Sequence, residues 1–402
     1  MSDTLTRPTA GAADAPSPPA SPPAWRRFLG PAVAVVGLLV LLALPLYLST
    51  GYLKAGQYVM IGAVGAIGLT LLIGQAGLLS LAHGFFLLAG GTTYAVVAGE
   101  PDGDLIGLGL PPLVALVAAG AVAALLGLAF APVAGRLKGI YLGIASLSLV
   151  FIGLYVGQRY SGLTGGTSSG RRPADFSLFG FSFSNSDPDL YVLGVEFGRS
   201  ERLWYLFLAL TVIAYLLARG AVRSRPGRAW RAIRDNENAA AVMGVNVVRT
   251  KAVAFAVSSG YAGIAGAMTV LWLTILKPDE SEFGTYGINA SIAFLAMVII
   301  GGLGSVPGAV VGAALVNGLP QVLALVTAGS ATADSGGFSP VFITQIIYGV
   351  AIVLIVLLEP RGLVGIGHRV RDAVTRRGSP APARSSADGP PPSVTHSQDG
   401  DK

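Results

Sequence analysis

The 402-residue chain contains no cysteine. Neither a disulfide framework nor a thiolate-held zinc or iron–sulfur centre can form. Histidine is almost as scarce. His83, His368 and His396 are the only three, and two lie near the C-terminus, which leaves no material for a histidine-rich metal centre. Charge is in short supply too. Asp, Glu, Lys and Arg make up 12% of the residues, about half the ~25% of an ordinary soluble domain. No Gly-x4-Gly-Lys-[Ser/Thr] phosphate loop occurs, so ATP cannot be held in the P-loop manner. No Ser/His/Asp or His-Glu-x2-His arrangement is found either. An enzyme would need such a convergent set, so the chain reads as non-catalytic and metal-free.

What is present is apolar. Hydrophobic residues reach 52% and glycine 55 residues, which places the chain in the membrane class. A helix needs about 20 apolar residues to cross the hydrocarbon core. Runs near that length fall at 31–49, 55–73, 84–98, 111–131, 139–157, 203–219, 251–274, 288–304, 306–327 and 340–358. The expected fold is therefore all-α and polytopic, with about ten transmembrane helices. The run at 84–98 is short enough to be a broken or re-entrant segment. The Pro-, Ala- and Ser-rich residues 1–24 read as a disordered tail, as do residues 368–402. Between them, 25–367 form the transmembrane domain.

Lys and Arg set the orientation. With the N-terminus inside and ten crossings, 20 of the 27 basic residues fall on the inner side and 12 of the 21 acidic ones on the outer. Both termini are thus expected in the cytoplasm, with a long external connection at 158–202 and a long cytoplasmic one at 220–250. The net charge of +6 then reports topology and contact with anionic lipid rather than nucleic acid.

The cytoplasmic connection is the most informative segment. Pro226 and Gly227 break the preceding helix, and the residues from Arg228 suit a new helix that stops at Gly244. Trp230, Ile233 and Ala241 fall near one face, while Arg231, Arg234, Asp235 and Asn238 are polar. From the pattern alone this is either a basic helix lying on anionic lipid or a docking helix for a cytoplasmic partner.

The string Gly227-Arg228-Ala229-Trp230-Arg231-Ala232-Ile233-Arg234-Asp235-Asn236-Glu237, followed by Asn238-Ala239-Ala240 and Gly244-Val245-Asn246, resembles the coupling loop of the LivM family, the branched-chain amino-acid permeases of ABC importers. Asn238 stands where the general importer motif has Glu. Ile73-Gly74-Gln75-Ala76-Gly77 with Ser80 and His83, Leu137-Lys138-Gly139-Ile140-Tyr141, Leu163-Thr164-Gly165-Gly166-Thr167, Ile300-Gly301-Gly302-Leu303-Gly304 and Glu359-Pro360-Arg361-Gly362-Leu363 are similar as well. Ala82 replaces a usual Gly, and 87–94 depart from the family pattern. The resemblance implies a bacterial inner-membrane permease. It would work with a second permease, two cytoplasmic ATPases that bind ATP-Mg, and a periplasmic or surface-anchored solute-binding protein. It also implies that Arg228, Arg231, Arg234, Asp235, Asn236, Glu237, Asn238, Ala239, Ala240 and Gly244 engage the ATPase. The cargo would be a Leu-, Ile- or Val-like amino acid. An aliphatic pore also suits urea or another small solute, and an ion-coupled secondary transporter is a further alternative.

Polar groups at membrane depth are costly and often face a cavity. Gln75, Ser80, His83, Asn289 and Ser291 are the candidates for the substrate pathway. Plainer readings stand beside them. Gln75 and Ser80 suit local backbone bonds at a turn, His83 a place at the membrane interface, and Asn289 a helix cap. Gly304, Gly308 and Gly312 recur every four residues, as do Ala254, Ser258, Ala262 and Gly266, a spacing that suits close helix packing.

Overall fold

Long runs of Ala, Leu, Val and Gly find no partner for their backbone polar groups in lipid, so each must close its own hydrogen bonds as a helix. The computed structural model describes residues 26–330, apart from 138, 168, 179, 185–190, 193–194 and 280–284, together with Ile346, Gly349, Val350 and Val353. The predicted run at 340–358 and the two predicted tails lie essentially outside the described residues. Each of the other nine predicted runs coincides with a helix.

Helix α1 is Arg26–Ala43, followed by a 3-10 turn at Leu44–Leu46. Helix α2, Thr50–Leu69, runs straight into a π-helical turn at Thr70–Gln75. Then come α3 (His83–Ala98), α4 (Pro112–Arg136), α5 (Ile140–Arg159) and the single turn α6 (Ser161–Thr164). Helix α7 is Arg199–Arg223, α8 is Arg225–Asp235, α9 is Glu237–Val242 and α10 is Val247–Leu273. Helix α11 is Ile288–Gly301. Helix α12, Val306–Ala313, continues through a π turn at Ala314–Gly318 into α13, Leu319–Ser330. Two minimal antiparallel hairpins, 177–182 and 191–196, are added between α6 and α7. Among the described residues, six helices are long and apolar enough to cross a membrane, and α3 and α11 are shorter apolar helices.

Helices α2 and α10 form the centre, with 78% and 67% of their most apolar windows buried, against 22% for α7. Small residues make that centre possible. Ala254, Ser258 and Ala262 are buried on α10 as their spacing predicts. A Cβ at Gly263 would strike the Ala119 carbonyl of α4, one at Gly90 of α3 would strike Gly263, and one at Gly266 would strike the Leu87 carbonyl. Lipid tails are as apolar as Leu, so these helices are joined by close backbone packing rather than by a hydrophobic gain.

Helices α3 and α11 do not span the bundle. His83, the first residue of α3, lies 3.0 Å from the Gly65 carbonyl through Nε2. Gly65 sits ten residues before the end of the α2 π turn at Gln75, about 15 Å along the axis at 1.5 Å per residue. Residues 76–82 therefore climb back from that end before α3 begins. Helix α11 starts beside the same point, since Ser291 Oγ accepts the Gly84 N–H at 2.9 Å, and it runs the other way. The short run at 84–98 is thus a half-length helix, paired with a second one that the sequence did not mark as short.

The long connection before α7 is a folded cap. Arg171 pairs with Leu276 through both backbone groups, at 2.9 and 2.8 Å. The Arg202 guanidinium donates to the carbonyls of Phe197, Ser182 and Ser184 and lies over the Phe181 ring. Both arginines are buried. Unpaired carbonyls of an irregular segment need donors, and a guanidinium supplies several in a fixed fork.

Candidate functional site at two helix breaks

The connection between α7 and α10 is two helices, not the single helix from Arg228 to Gly244 that the sequence suggests. Ser224 ends α7 in an extended conformation, and Pro226 takes an early position in α8, where a missing N–H costs nothing. Asn236 then interrupts the path. Its backbone is extended, and its side chain accepts the Ala239 N–H at 3.0 Å as the cap of α9. The interruption resets the helical register, so Ala240 rather than Ala241 joins Trp230 and Ile233 in the interior.

The charged residues of this segment are largely engaged with the chain itself. Arg234 Nη1 donates to the Gly74 carbonyl at 2.8 Å, while its Nε and Nη2 both reach Asp235 Oδ1 at 3.1 Å. Glu237 Oε1 accepts from Lys251 Nζ at 2.9 Å, and the Lys251 side chain is only 3% exposed. Arg228 reaches the Arg223 carbonyl at 3.4 Å. Asn238 and Ala239 are exposed, as is Gly244. Beside them, Val242 and Met243 are 88% and 85% exposed at the tip of α9. The sequence reading passed over these two apolar residues. A Val-Met pair at the end of a short helix, just before a Gly with φ of 86°, was the available signal.

Gly74 lies in the π turn of α2, where i→i+4 bonding has lapsed and a carbonyl can accept from outside. Next to it, Gln75 Nε2 donates to the Gly304 carbonyl at 2.7 Å. Gln75 is therefore a long-range fastener rather than a local turn-former. A Cβ on Gly74 would collide with the Gly304 backbone, and one on Gly77 would press on Arg234. Gly77 and Gly304 have φ of 71° and 81°, which only Gly adopts without strain. Gly304 is thus in the turn before α12, not on the helix face that Gly308 and Gly312 share. Those two do pack on α11, against Gly301 and Met297. The two similar sequences, Ile73–Gly77 and Ile300–Gly304, meet in space, with Arg234 across the first of them.

The other predicted pathway residues are spread along α3 and α11. Ser80 Oγ makes a local bond to the Ala82 N–H at 3.3 Å. His83 is buried, and its ring packs on Phe294 with centroids 4.8 Å apart. Ser291 caps the first turn of α3. Asn289 caps nothing: the cap position of α11 is Gly287. It lines instead a cavity of about 260 Å³ bounded by α2, α3, α10, α11 and the π turn of α12. Asn317, Thr269, Thr285 and Tyr58 supply its remaining polar lining. Asn317 is a site residue that the sequence reading missed, because a lone Asn in an apolar run has no spacing partner.

Residues 52–357 match the family described as branched-chain amino acid transport system / permease component. The chain belongs to that family. It is 30% identical over 340 residues to the LivM high-affinity branched-chain amino acid transport system permease protein of Salmonella typhimurium, covering 81% of this chain and 73% of the relative. It is 31% identical over 282 residues to LivM of Escherichia coli, covering 67% and 63%. It is 24% identical over 307 residues to LivH of the same organism, covering 75% and 90%. No solved structure matches. The family is a transport permease component and not an enzyme. With six long apolar helices among the described residues, this permease is a multi-pass membrane protein.

Proposed function

We propose that the chain is a permease subunit of an ATP-driven importer for branched-chain amino acids, and that α8–α9 carry the ATPase stroke into the membrane. The bond from Arg234 to the Gly74 carbonyl supports this most directly. It ties a surface helix to the break after α2, and Gln75 ties that break to the turn before α12. A push on α8 therefore reaches two broken helices through single hydrogen bonds, each capable of alternative partners. Packed elements of this kind switch between discrete arrangements rather than deforming smoothly.

The docking surface on this reading is the α9 tip, with Val242 and Met243 seated in a groove of the ATPase. Arg228, Arg231 and Asn238 form its polar rim. The basic end faces the cytoplasm, as do both termini. Similarity to both LivM and LivH relatives supports a heterodimer with a second permease. ATP-Mg binds to two separate ATPase subunits, and a soluble binding protein delivers the amino acid. The cavity lining, apolar and neutral-polar with no charge among the described residues, favours a small neutral or zwitterionic cargo over an ion-coupled mechanism, which would place a charge at depth.

The test uses co-purification and uptake in the assembled importer. Val242→Asp with Met243→Asp should abolish ATPase co-purification, while Arg234→Met keeps the ATPase but loses ATP-dependent leucine uptake. Retention of the ATPase by the double aspartate variant would remove α9 from the interface. A cysteine introduced at Asn236 should react with an impermeant maleimide only from the cytoplasmic side, and labelling from outside would invert the topology.

A further inference from the structure

The cavity beside α11 has the make-up of a small-solute site. Its volume of about 260 Å³ sits just under the roughly 300 Å³ at which drug-sized pockets begin, so it suits a solute smaller than a drug. Ile61, Leu87, Phe294 and Met297 form an apolar wall, and among the described residues no charged one lines it. Its polar groups are two amides, two threonines and one tyrosine.

The amides are placed with care. Asn317 is only 7% exposed and projects from the π turn. Its Nδ2 donates to the Tyr58 carbonyl at 3.0 Å, and among the described residues no hydrogen bond engages its carbonyl oxygen. A Cβ at Gly62 would collide with the Asn317 amide, so α2 leaves room for this side chain. Asn289, in the first turn of α11, also lines the cavity but is exposed, and no hydrogen bond engages its side chain among the described residues. Thr269 spends its hydroxyl on the Ala265 carbonyl of its own helix, so among the described residues the two amides remain as polar lining together with Thr285 and Tyr58. An amide offers both donor and acceptor. Two of them can therefore meet the ammonium and the carboxylate of a zwitterion without adding net charge. The Phe294 ring, packed on His83, lines one wall.

We propose that this cavity is a holding site for the zwitterionic aliphatic amino acid within the permease, with Asn317 and Asn289 fixing its polar end and Ala293 with Phe294 limiting its side chain. The proposal rests on the functional reading above and deepens it by locating the cargo.

The experiment measures uptake of radiolabelled leucine and alanine by the complete importer in liposomes, with ATPase co-purification as the check on assembly. Asn317→Leu should lower leucine uptake at least tenfold. Ala293→Phe, which reduces the cavity, should shift the leucine-to-alanine ratio at least fivefold toward alanine. Ile299→Ala, on the exposed side of α11, should change neither. If Asn317→Leu fails to assemble, the Ala293→Phe ratio decides alone. Assembled variants that carry leucine like the parent, with an unaltered ratio, would refute the site. A parent importer that moves another solute but no leucine would strike the functional reading itself.

Discussion

Two regions of this permease are built on glycine, and they use it in opposite ways. Where α10 meets α3 and α4, Gly90, Gly263 and Gly266 bring backbone against backbone, and the hydroxyls of Ser259 and Thr269 return to their own helix. Among the described residues, no side-chain hydrogen bond joins α10 to α3 or α4 there. Where the π turn after α2 meets the turn before α12, Gly74 and Gly304 also touch, but Gly74 lies in the closing π turn and Gly304 beyond the end of α11. Free carbonyls at 74 and 304 are held by Arg234 and Gln75 from distant parts of the chain. The first region is a fixed frame. The second is joined by bonds that can be exchanged one at a time, as a moving junction requires.

The largest effect should come from breaking the frame. Gly263→Leu places a side chain where the Ala119 carbonyl lies. Overpacking costs about 1–3 kcal/mol even where side chains can yield, and here backbone must move. The variant should fail to accumulate in membranes, as read by immunoblot of solubilised fractions. Gly74→Ala should do less to folding and more to transport. Its methyl group meets the Gly304 backbone at a turn that can shift, so the protein should accumulate while ATP-dependent uptake falls at least tenfold. Arg234→Met removes a donor to a carbonyl, a loss of about 1.5–3 kcal/mol for a charged bond, reduced by the side chain's 40% exposure. It should lower the melting midpoint of the purified protein by a few degrees while association with the ATPase survives. Ser80→Ala should have the smallest effect, about 1 kcal/mol in the same melting measurement, because it removes one long local bond to the buried Ala82 N–H.

The frame was legible in the sequence and the junction only in part. Ala254, Ser258, Ala262 and Gly266 recur every four residues, and periodicity places them on one face without any knowledge of the partner. Nine apolar runs became helices for the same reason. The depth at which α3 and α11 begin was not legible, because it depends on where 76–82 and the residues before Ile288 turn. Composition records how apolar a segment is and not where it starts. Gln75 reads as a local turn residue, since the Gly304 carbonyl it reaches is 229 positions away. Arg234 reads as a surface charge because helical pattern cannot say that a carbonyl in a π turn lies beneath it. Asn236 carried a readable signal, as Asn three residues before Ala239 is a good cap, but the continuous apolar face from Trp230 to Ala241 outweighed it.

The central claim is that α8 drives the two helix breaks through Arg234. The chain has no native cysteine, so spin labels at introduced cysteines report only where they are placed. Labels at Leu303, exposed in the turn before α12, and at Val248, exposed at the start of α10, measure the junction against the frame. In the assembled importer, ATP should change their separation in the parent protein and leave it unchanged in Arg234→Met with the ATPase still bound. An equal ATP-driven change in both proteins would contradict the account.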